Sequence, residues 1–318
     1  MKPQTRVADF IAGVRFEGML LVKLAQEKVS TATQKKYLDM TLTDASGEVN
    51  AKLFNLPAQP YVPAEGAIVN VRGQVEAFNG TRLQLKIDTI REANERDDVD
   101  IARLVPCAPR PSEEMLDEVL NRADAISNPQ LKMLVLKRLE EAGERVLTMP
   151  AAKSMHHAQR GGLLYHTVTM LEAATAICAL YPGVDADLVA AGAILHDLGK
   201  LDEFATDGTG LVSDYTLQGN LVGHIVGGIA ALDRCGRELG VDNELLMLLE
   251  HMLLSHHGQP EYGSPKPPMI PEALILHMVD DLDAKIFEMQ KELNKVAPGS
   301  FTDYVKGLDR KLYRRSES

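Results

Sequence analysis

The sequence predicts two domains, a small all-β barrel followed by an all-α helical bundle. Short apolar or alternating runs broken by turn signals fill the first 95 residues, whereas apolar positions recur at helical spacing after residue 112. The charge changes at the same place. Residues 1–95 hold 12 Lys and Arg against 11 Asp and Glu, and residues 96–318 hold 22 against 34. With 318 residues, two cores are expected, because single domains rarely grow beyond roughly 200–250 residues.

Five strands are predicted in the first domain, residues 1–95. Asp44-Ala45-Ser46-Gly47 marks one turn between strands. Asn79-Gly80 marks a hairpin, because both positions of a type I′ turn need positive φ, which Asn and Gly tolerate. Five strands in about 80 residues predict a small closed barrel. The strands are placed near Phe16–Leu24, Tyr37–Thr43, Val49–Phe54, Ala67–Phe78 and Thr81–Arg91.

The helical domain is expected to span residues 112–318, after a linker at 96–111. The segment Glu92–Pro111 is polar and then broken by prolines, which is typical of a linker. Ser112 is expected to cap the first helix, with Glu113 and Glu114 in its first turn. The C-terminal KLYRRSES is expected to fray. Further helices are predicted near residues 163–180, 186–198, 218–239, 242–257 and 271–296.

The composition narrows the class of protein. It contains 45% hydrophobic and 25% charged residues, which is typical of soluble globular proteins, and no stretch approaches the roughly 18 apolar residues of a membrane span. The N-terminus lacks the apolar core of a signal peptide, so a cytoplasmic location and no membrane partner are expected. Cys107, Cys178 and Cys235 are too scattered for a disulfide framework or a paired metal motif. The net charge of −11 argues at first sight against a nucleic-acid partner.

All nine histidines lie in the helical half. A single His on an apolar helix is usually a packing residue, so the argument rests on the set. The apolar run Ala190–Leu195 is fit for burial and leads directly into His196 and Asp197. A buried carboxylate needs a partner, and a divalent cation satisfies the imidazole and the carboxylate together. Gly199 is expected to end this helix, and Lys200 to point a cation at the same site.

Four other helical segments offer further metal ligands. One carries His166, another carries His224 between small residues, and a third ends in the adjacent His256 and His257. The fourth carries Asp280 and Asp283, which share a helix face because they are three residues apart.

This order of residues, with HDLGK at 196–200, is similar to that of the HD-domain metal-dependent phosphohydrolases. The minimal pattern of that family holds one metal, and the extra histidines here resemble the subset that holds two adjacent ions. The resemblance implies that the metal ligands are His166, His196, Asp197, His224, His256, His257 and Asp280.

Two cations roughly 3.5–4 Å apart can bridge and ionise a water while they neutralise phosphate oxygens. The expected nucleophile is therefore a metal-bound hydroxide, and Asp197 and Lys200 are the expected catalytic residues. Asp197 would bridge the ions, and Lys200 would hold a phosphate oxygen; the alternative for Lys200 is a solvated residue just past a helix end. A site rich in histidine suits Mn, Fe, Co or Ni better than Mg.

Aromatic and basic side chains are interleaved in residues 1–95, as they are in proteins that bind single strands. Most of these aromatics are expected in the barrel core. Lys28, Lys35 and Lys36 are predicted to contact the strand, whereas the helical half is expected to carry no basic patch. His157 and Arg160 are expected to line the substrate path; a surface loop is the alternative.

An oligonucleotide-binding (OB) fold followed by an HD domain is similar to the YhaM-type 3′→5′ exoribonucleases. The sharpest matching segments beyond the ligands are HHAQRGGLLYHT at 156–167 and LSHHGQPEYGSPKPP at 254–268. The resemblance implies a metal-dependent 3′→5′ exonuclease of single-stranded RNA, or also of DNA. One alternative is a phosphohydrolase of small nucleotides with a regulatory OB domain, and another is a non-catalytic nucleic-acid-binding adaptor. Assembly into a homo-oligomer is compatible with the many apolar helices.

Overall fold

The computed structural model describes residues 4–31, 33–54, 56–57, 60–78, 82–94, 96–153 and 157–316. The chain divides into two compact units, Met1–Pro106 and Cys107–Ser318. Among the described residues, no helix has the length and apolar character needed to cross a membrane. The predicted Asn79-Gly80 turn lies outside these residues, and the predicted domain limits stay predictions.

The first unit is a closed five-stranded barrel with the strand order β1-β2-β3-β5-β4. Adjacent strands pair antiparallel except β3 and β5, which are parallel. A five-stranded closed barrel with a crossed connection is the OB architecture, so the predicted fold class is confirmed for this unit. The strands are β1 (Arg15–Val29), β2 (Lys36–Asp44), β3 (Gly47–Leu53), β4 (Ile68–Phe78) and β5 (Arg82–Glu92), and a short helix α1 (Ile101–Leu104) follows.

Strict alternation along β2 builds the barrel core. Leu38, Met40 and Leu42 point inward and are buried, while the residues between them are partly exposed. At the end of β2, Oδ1 of Asp44 accepts hydrogen bonds from the backbone amides of Ser46 at 2.8 Å and Gly47 at 3.2 Å. This side chain therefore fixes the predicted turn into β3.

The second unit is a helical bundle around one apolar core. The apolar helix α5 (Ala186–Leu195) lies at its centre and packs against α4 (Gly162–Cys178), α9 (Asn243–Ser255) and α10 (Pro271–Leu293), which explains why seven of its ten residues are buried. A small two-stranded sheet, β6 (Phe204–Thr206) and β7 (Val212–Tyr215), is inserted after α6. The helices are α2 (Ser112–Asp124), α3 (Pro129–Ala142), α4 (Gly162–Cys178), α5 (Ala186–Leu195), α6 (Lys200–Glu203), α7 (Leu217–Leu221), α8 (Gly223–Leu239), α9 (Asn243–Ser255) and α10 (Pro271–Leu293).

Four local expectations were wrong. The predicted helix at 218–239 is two helices, because Gly223 takes a φ of +75° between α7 and α8. Ser112 is the first helical residue rather than the cap, and Pro111 precedes it. Gly199 does not end α5, which stops at Leu195. The described residues of the predicted frayed tail, 311–316, follow on from a folded segment: residues 299–314 form a hairpin joined by bridges between Phe301 and Tyr313 and between Val305 and Arg310.

Gly199 is needed for close packing rather than for a turn. A Cβ at this position would lie 2.3 Å from the carbonyl oxygen of His224 and 3.0 Å from its carbonyl carbon. The first residues of α8 therefore approach the loop between α5 and α6 closely enough to bring His224 beside Asp197.

We expect Gly199→Ala to lower the free energy of unfolding by about 1–3 kcal/mol, because the backbone of α8 must move away from the new methyl group. Chemical denaturation monitored by circular dichroism measures this change. Gly183→Ala is the matched control, since a Cβ there meets no atom within 4 Å. Equal midpoints for the two variants would contradict the packing role of Gly199.

Candidate metal centre

The structure brings all seven predicted metal ligands to one place in the helical unit. His166 comes from the first turns of α4, and His196 and Asp197 follow the end of α5. His224 opens α8, the His256-His257 pair follows α9, and Asp280 lies in the middle of α10. His166, His196, Asp197, His256 and Asp280 are all buried.

Asp197 lies at the centre of this cluster, and its two oxygens face different histidines. Oδ2 lies 3.3 Å from Nε2 of His196 and 3.9 Å from Nε2 of His166. Oδ1 lies 3.6 Å from Nε2 of His224 and 3.8 Å from Nε2 of His256. The carboxylate therefore lies between two sets of possible metal-ligand atoms, one facing each of its oxygens. Asp280 joins the first set through Oδ1, 3.2 Å from Nε2 of His166.

Backbone carbonyls orient three of the five imidazoles. A carbonyl oxygen can only accept, so Nδ1 of each ring carries the proton, and the neutral ring keeps its lone pair on Nε2. His196, His256 and His257 donate from Nδ1 to the carbonyl oxygens of Ala193 at 3.0 Å, Leu253 at 2.7 Å and Tyr262 at 2.7 Å, respectively.

Carboxylates orient the other two imidazoles. Nδ1 of His166 lies 2.6 Å from Oδ2 of Asp283, and Nδ1 of His224 lies 3.0 Å from Oε2 of Glu203. Neither acid belongs to the seven predicted ligands. The three-residue spacing from Asp280 placed Asp283 on the right face of its helix, but nothing in the sequence connects Glu203 with His224.

The Nε2 atoms of these rings fit a metal. Among the described residues, Nε2 of His196, His224 and His256 and Oδ1 of Asp197 are buried without a hydrogen-bond partner. Such groups are rare in folded proteins, because each loses its hydration without compensation. Imidazole nitrogens and carboxylate oxygens within 4.8 Å of one another are a ligand set for a divalent transition metal.

Lys200 completes the cluster from the first turn of α6. Its Nζ donates to Oδ2 of Asp197 at 2.6 Å, and its side chain is buried. Burial by itself raises the pKa of Asp197, but Lys200 and His196 outweigh it and hold that pKa well below its usual range. Asp197 is therefore ionised and available as a ligand.

Burial also decides the charge of the paired histidines. It lowers the pKa of His256 well below the usual range and lowers that of His257, so both rings are neutral near pH 7. His166 differs. Burial lowers its pKa too, but the carboxylates of Asp280 and Asp283 outweigh that effect and raise it to about 9. A metal ion on Nε2 would take the place of this proton.

The two residues of this unit that were predicted to contact substrate, His157 and Arg160, are buried or half-buried. His157 is 1% exposed, and its Nε2 lies 2.7 Å from Oδ2 of Asp283, the oxygen that His166 also contacts. Arg160 is half-buried and donates from Nη1 to the carbonyl oxygen of Thr209 at 2.8 Å. These contacts favour a structural role for both residues, and their contact with substrate stays a prediction.

The predicted lysines of the barrel lie on its surface. Nζ of Lys28 lies 2.5 Å from Oδ2 of Asp39, and Nζ of Lys36 lies 2.6 Å from Oε1 of Glu27. Lys35 is exposed. Two of the three predicted strand contacts therefore already have an acidic neighbour, which reduces their attraction for phosphate.

An aromatic cluster on the barrel was missed. The rings of Tyr37 and Phe54 stack at a centroid distance of 5.4 Å and an angle of 28°. Nζ of Lys52 lies 5.4 Å from the ring of Tyr37 and 5.3 Å from that of Phe78. Phe54 and Phe78 are 41% and 43% exposed, so the expectation that most aromatics lie in the core was wrong for them and for Tyr61.

Comparisons with known proteins agree with both units. The family model of the HD domain matches residues 163–285, the model of an OB-fold nucleic acid binding domain matches residues 18–93, and a helicase family model matches residues 107–182. The 3′-5′ exoribonuclease YhaM of Bacillus licheniformis is 40% identical over 303 residues, which are 95% of this chain and 95% of that protein.

Among solved structures, the second OB-fold domain of replication protein A from Methanococcus maripaludis is 18% identical, with a TM-score of 0.24. The match covers 30% of this chain and 98% of that domain. An OB domain from Thermoplasma acidophilum is also 18% identical, with a TM-score of 0.23, and covers 30% of this chain and 90% of the other.

We expect Asp283→Asn and Glu203→Gln each to weaken metal binding about 10–100-fold, because each change removes the carboxylate that holds a ligating imidazole in place. Titration calorimetry of the metal-depleted protein with Mn²⁺ measures the affinity. Asp281→Asn, on the same helix as Asp283, is the control, since Asp281 pairs with Lys285 on the surface. Unchanged affinity in both acid variants would show that the two carboxylates do not support the ligands.

Proposed function

The chain belongs to the family of the 3′-5′ exoribonuclease YhaM, and we propose from this premise that its metal centre removes nucleotides from the 3′ end of single-stranded RNA. One observation of the site carries the proposal. Both oxygens of the buried Asp197 face imidazole Nε2 atoms, and the histidine Nδ1 atoms are already engaged. DNA single strands are a second candidate substrate, because a metal centre of this kind reads the phosphodiester rather than the sugar.

Two ions would share Asp197. His166, His196, Asp197 and Asp280 would hold one ion, and Asp197, His224, His256 and His257 would hold the other. When bound, such a pair of cations lowers the pKa of a water molecule and neutralises phosphate oxygens. The mixed nitrogen and oxygen ligands favour Mn, Fe, Co or Ni over Mg, which prefers oxygen.

Lys200 has two tasks in this proposal. Its ammonium group keeps Asp197 ionised through the contact at 2.6 Å. Because Nζ has three protons and uses one of them on Asp197, it can donate another to a phosphate oxygen that approaches the carboxylate. Asp197 and Lys200 are therefore the catalytic residues that we assign.

The barrel would hold the strand. The match to an OB-fold nucleic acid binding domain supports this role for residues 1–95, while residues 112–318 would carry the hydrolase. We propose the cluster of Tyr37, Lys52, Phe54 and Phe78 as the stacking surface, with Lys28, Lys35 and Lys36 as nearby cations. Assembly into oligomers and a cytoplasmic location remain predictions from the sequence.

We expect the protein with Mn²⁺ to shorten a 5′-labelled RNA strand one nucleotide at a time, and Asp197→Ala to abolish this shortening because both metal sites lose their shared ligand. Gel separation of the products by length gives the result. Asp233→Asn, which changes an exposed carboxylate paired with Arg237, should act like the unchanged protein.

Two results would contradict the proposal. Full activity of the Asp197→Ala protein would refute the assigned site. Hydrolysis of cyclic dinucleotides or nucleoside triphosphates without any shortening of RNA would point to a phosphohydrolase of small nucleotides, and no hydrolysis together with strand binding would point to an adaptor.

We expect Phe54→Ala and Phe78→Ala each to weaken binding of a single strand about fivefold or more, because a base loses its stacking partner. Fluorescence anisotropy with a labelled oligonucleotide measures the dissociation constant. Ile11→Ala is the control, since Ile11 is 67% exposed and is not part of the cluster. Equal affinities for all three variants would exclude this surface as the contact.

A further inference from the structure

The C-terminal segment 299–316, which contains the hairpin, packs against the end of α10. Val305, Leu308 and Leu312 form a small core of their own, against which Leu293 of α10 packs. Nη1 of Arg314 donates to the carbonyl oxygen of Val296 at 2.8 Å, just beyond the end of that helix. These contacts hold one face of the hairpin inward and fix the opposite face toward solvent.

The hairpin exposes three large aromatic side chains. Phe301, Tyr304 and Tyr313 are 64%, 57% and 47% exposed, and the rings of Phe301 and Tyr313 pair at a centroid distance of 5.0 Å. In extended backbone, side chains alternate between the two faces, so Lys311 and Arg315 lie on the same side as Tyr313, while Leu312 faces inward.

The segment is also the positive part of an acidic unit. Residues 295–318 hold six Lys and Arg against three Asp and Glu, whereas residues 96–294 hold 16 against 31. Lys306, Lys311 and Arg315 are exposed, and none of them forms an ion pair with a carboxylate in the described part of the chain. The expectation that the helical half has no basic patch was therefore wrong.

We propose that the outward face of the C-terminal hairpin is a second contact site for single-stranded nucleic acid, which takes the part of the strand that enters the metal centre. This face would recognise groups that every nucleotide has, because bases stack on the aromatic rings and phosphates pair with the cations. This inference rests on the proposed exonuclease function.

The position of the hairpin suits that role. It follows α10, the helix that carries Asp280 and Asp283, and Leu293 lies ten residues beyond Asp283, about 15 Å along the helix axis. A polyanion that approaches the acidic bundle is repelled by it, so a local cationic surface beyond the end of the helix that carries Asp280 lowers the free-energy cost of guiding the strand. The mixture of aromatic and cationic side chains favours a nucleic acid over a purely apolar partner.

The test compares the unchanged protein with two groups of variants on a single-stranded RNA substrate. The triple variant Lys306→Ala, Lys311→Ala, Arg315→Ala should raise KM and leave kcat near its original value. Its binding should depend less on salt, with the slope of log affinity against log salt reduced by about 2, since each lost phosphate contact removes about 0.7. The double variant Phe301→Ala, Tyr313→Ala should bind about fivefold more weakly or worse, because two stacking rings are lost.

Two controls make the result specific. Lys132→Ala combined with Lys137→Ala removes partly exposed positive charge from α3 and should leave KM and the salt slope nearly unchanged. Tyr313→Phe keeps the ring and should retain strand binding, whereas a purely structural effect of the hydroxyl would appear as a lower melting temperature.

The outcomes separate the two proposals. If the unchanged protein does not shorten RNA, the proposed function fails. If it does, and the hairpin variants keep its KM and salt slope, only the hairpin site is overturned. The hairpin site is equally overturned if those variants lose binding to anionic lipid vesicles, or lose self-association in sedimentation, while strand binding is unaffected.

Discussion

The buried carboxylate of Asp197 is the constraint on which the helical unit depends. A charge at 2% exposure has lost its hydration, and such a loss costs several kcal/mol unless opposite charge and donors surround it. Side chains of α4, α6 and α8 and of the residues that follow α5 and α9 supply those donors, and these elements approach closely because glycines line their contacts. A Cβ at Gly199 would lie 2.3 Å from the carbonyl oxygen of His224, and one at Gly192 would lie 2.5 Å from Cε of Met252. The apolar core therefore supplies the energy that brings the polar site together.

The sequence predicted what repeats locally or matches a known pattern. Alternation gave the barrel strands, and the His-Asp pair after an apolar helix gave the centre of the site. The sequence could not predict side-chain contacts that only tertiary packing creates. Glu203 lies 21 residues before His224, and no spacing rule joins an acid at the end of one short helix to an imidazole at the start of another helix. The aromatic cluster was not predicted, for a related reason. Alternation assigns a residue to a face of a strand, but Phe54 lies just past the end of β3, where the barrel no longer covers it.

Charge has to be considered by region rather than as a total. The net charge of −11 is dominated by the helical unit, whereas the barrel is nearly neutral and the last residues of the chain are positive. Part of the acidity is the ligand set itself, whose charge bound cations would offset. A nucleic acid meets local surfaces within about a Debye length of 8–10 Å, so small cationic and aromatic patches govern its approach more than the distant carboxylates do.

Whether a backbone carbonyl or a carboxylate accepts from Nδ1 depends on where each histidine lies on its helix. His196 and His256 come directly after helices, and their Nδ1 atoms donate to carbonyls three residues back. Those carbonyls are among the last four of a helix, which have no amide partner of their own. His166 and His224 instead lie near the starts of α4 and α8, where the neighbouring carbonyls are engaged in helical hydrogen bonds. Their Nδ1 atoms need an acceptor from elsewhere, which Asp283 and Glu203 supply. The ends of helices therefore orient His196 and His256 without further residues, while His166 and His224 depend on acids placed by the tertiary fold.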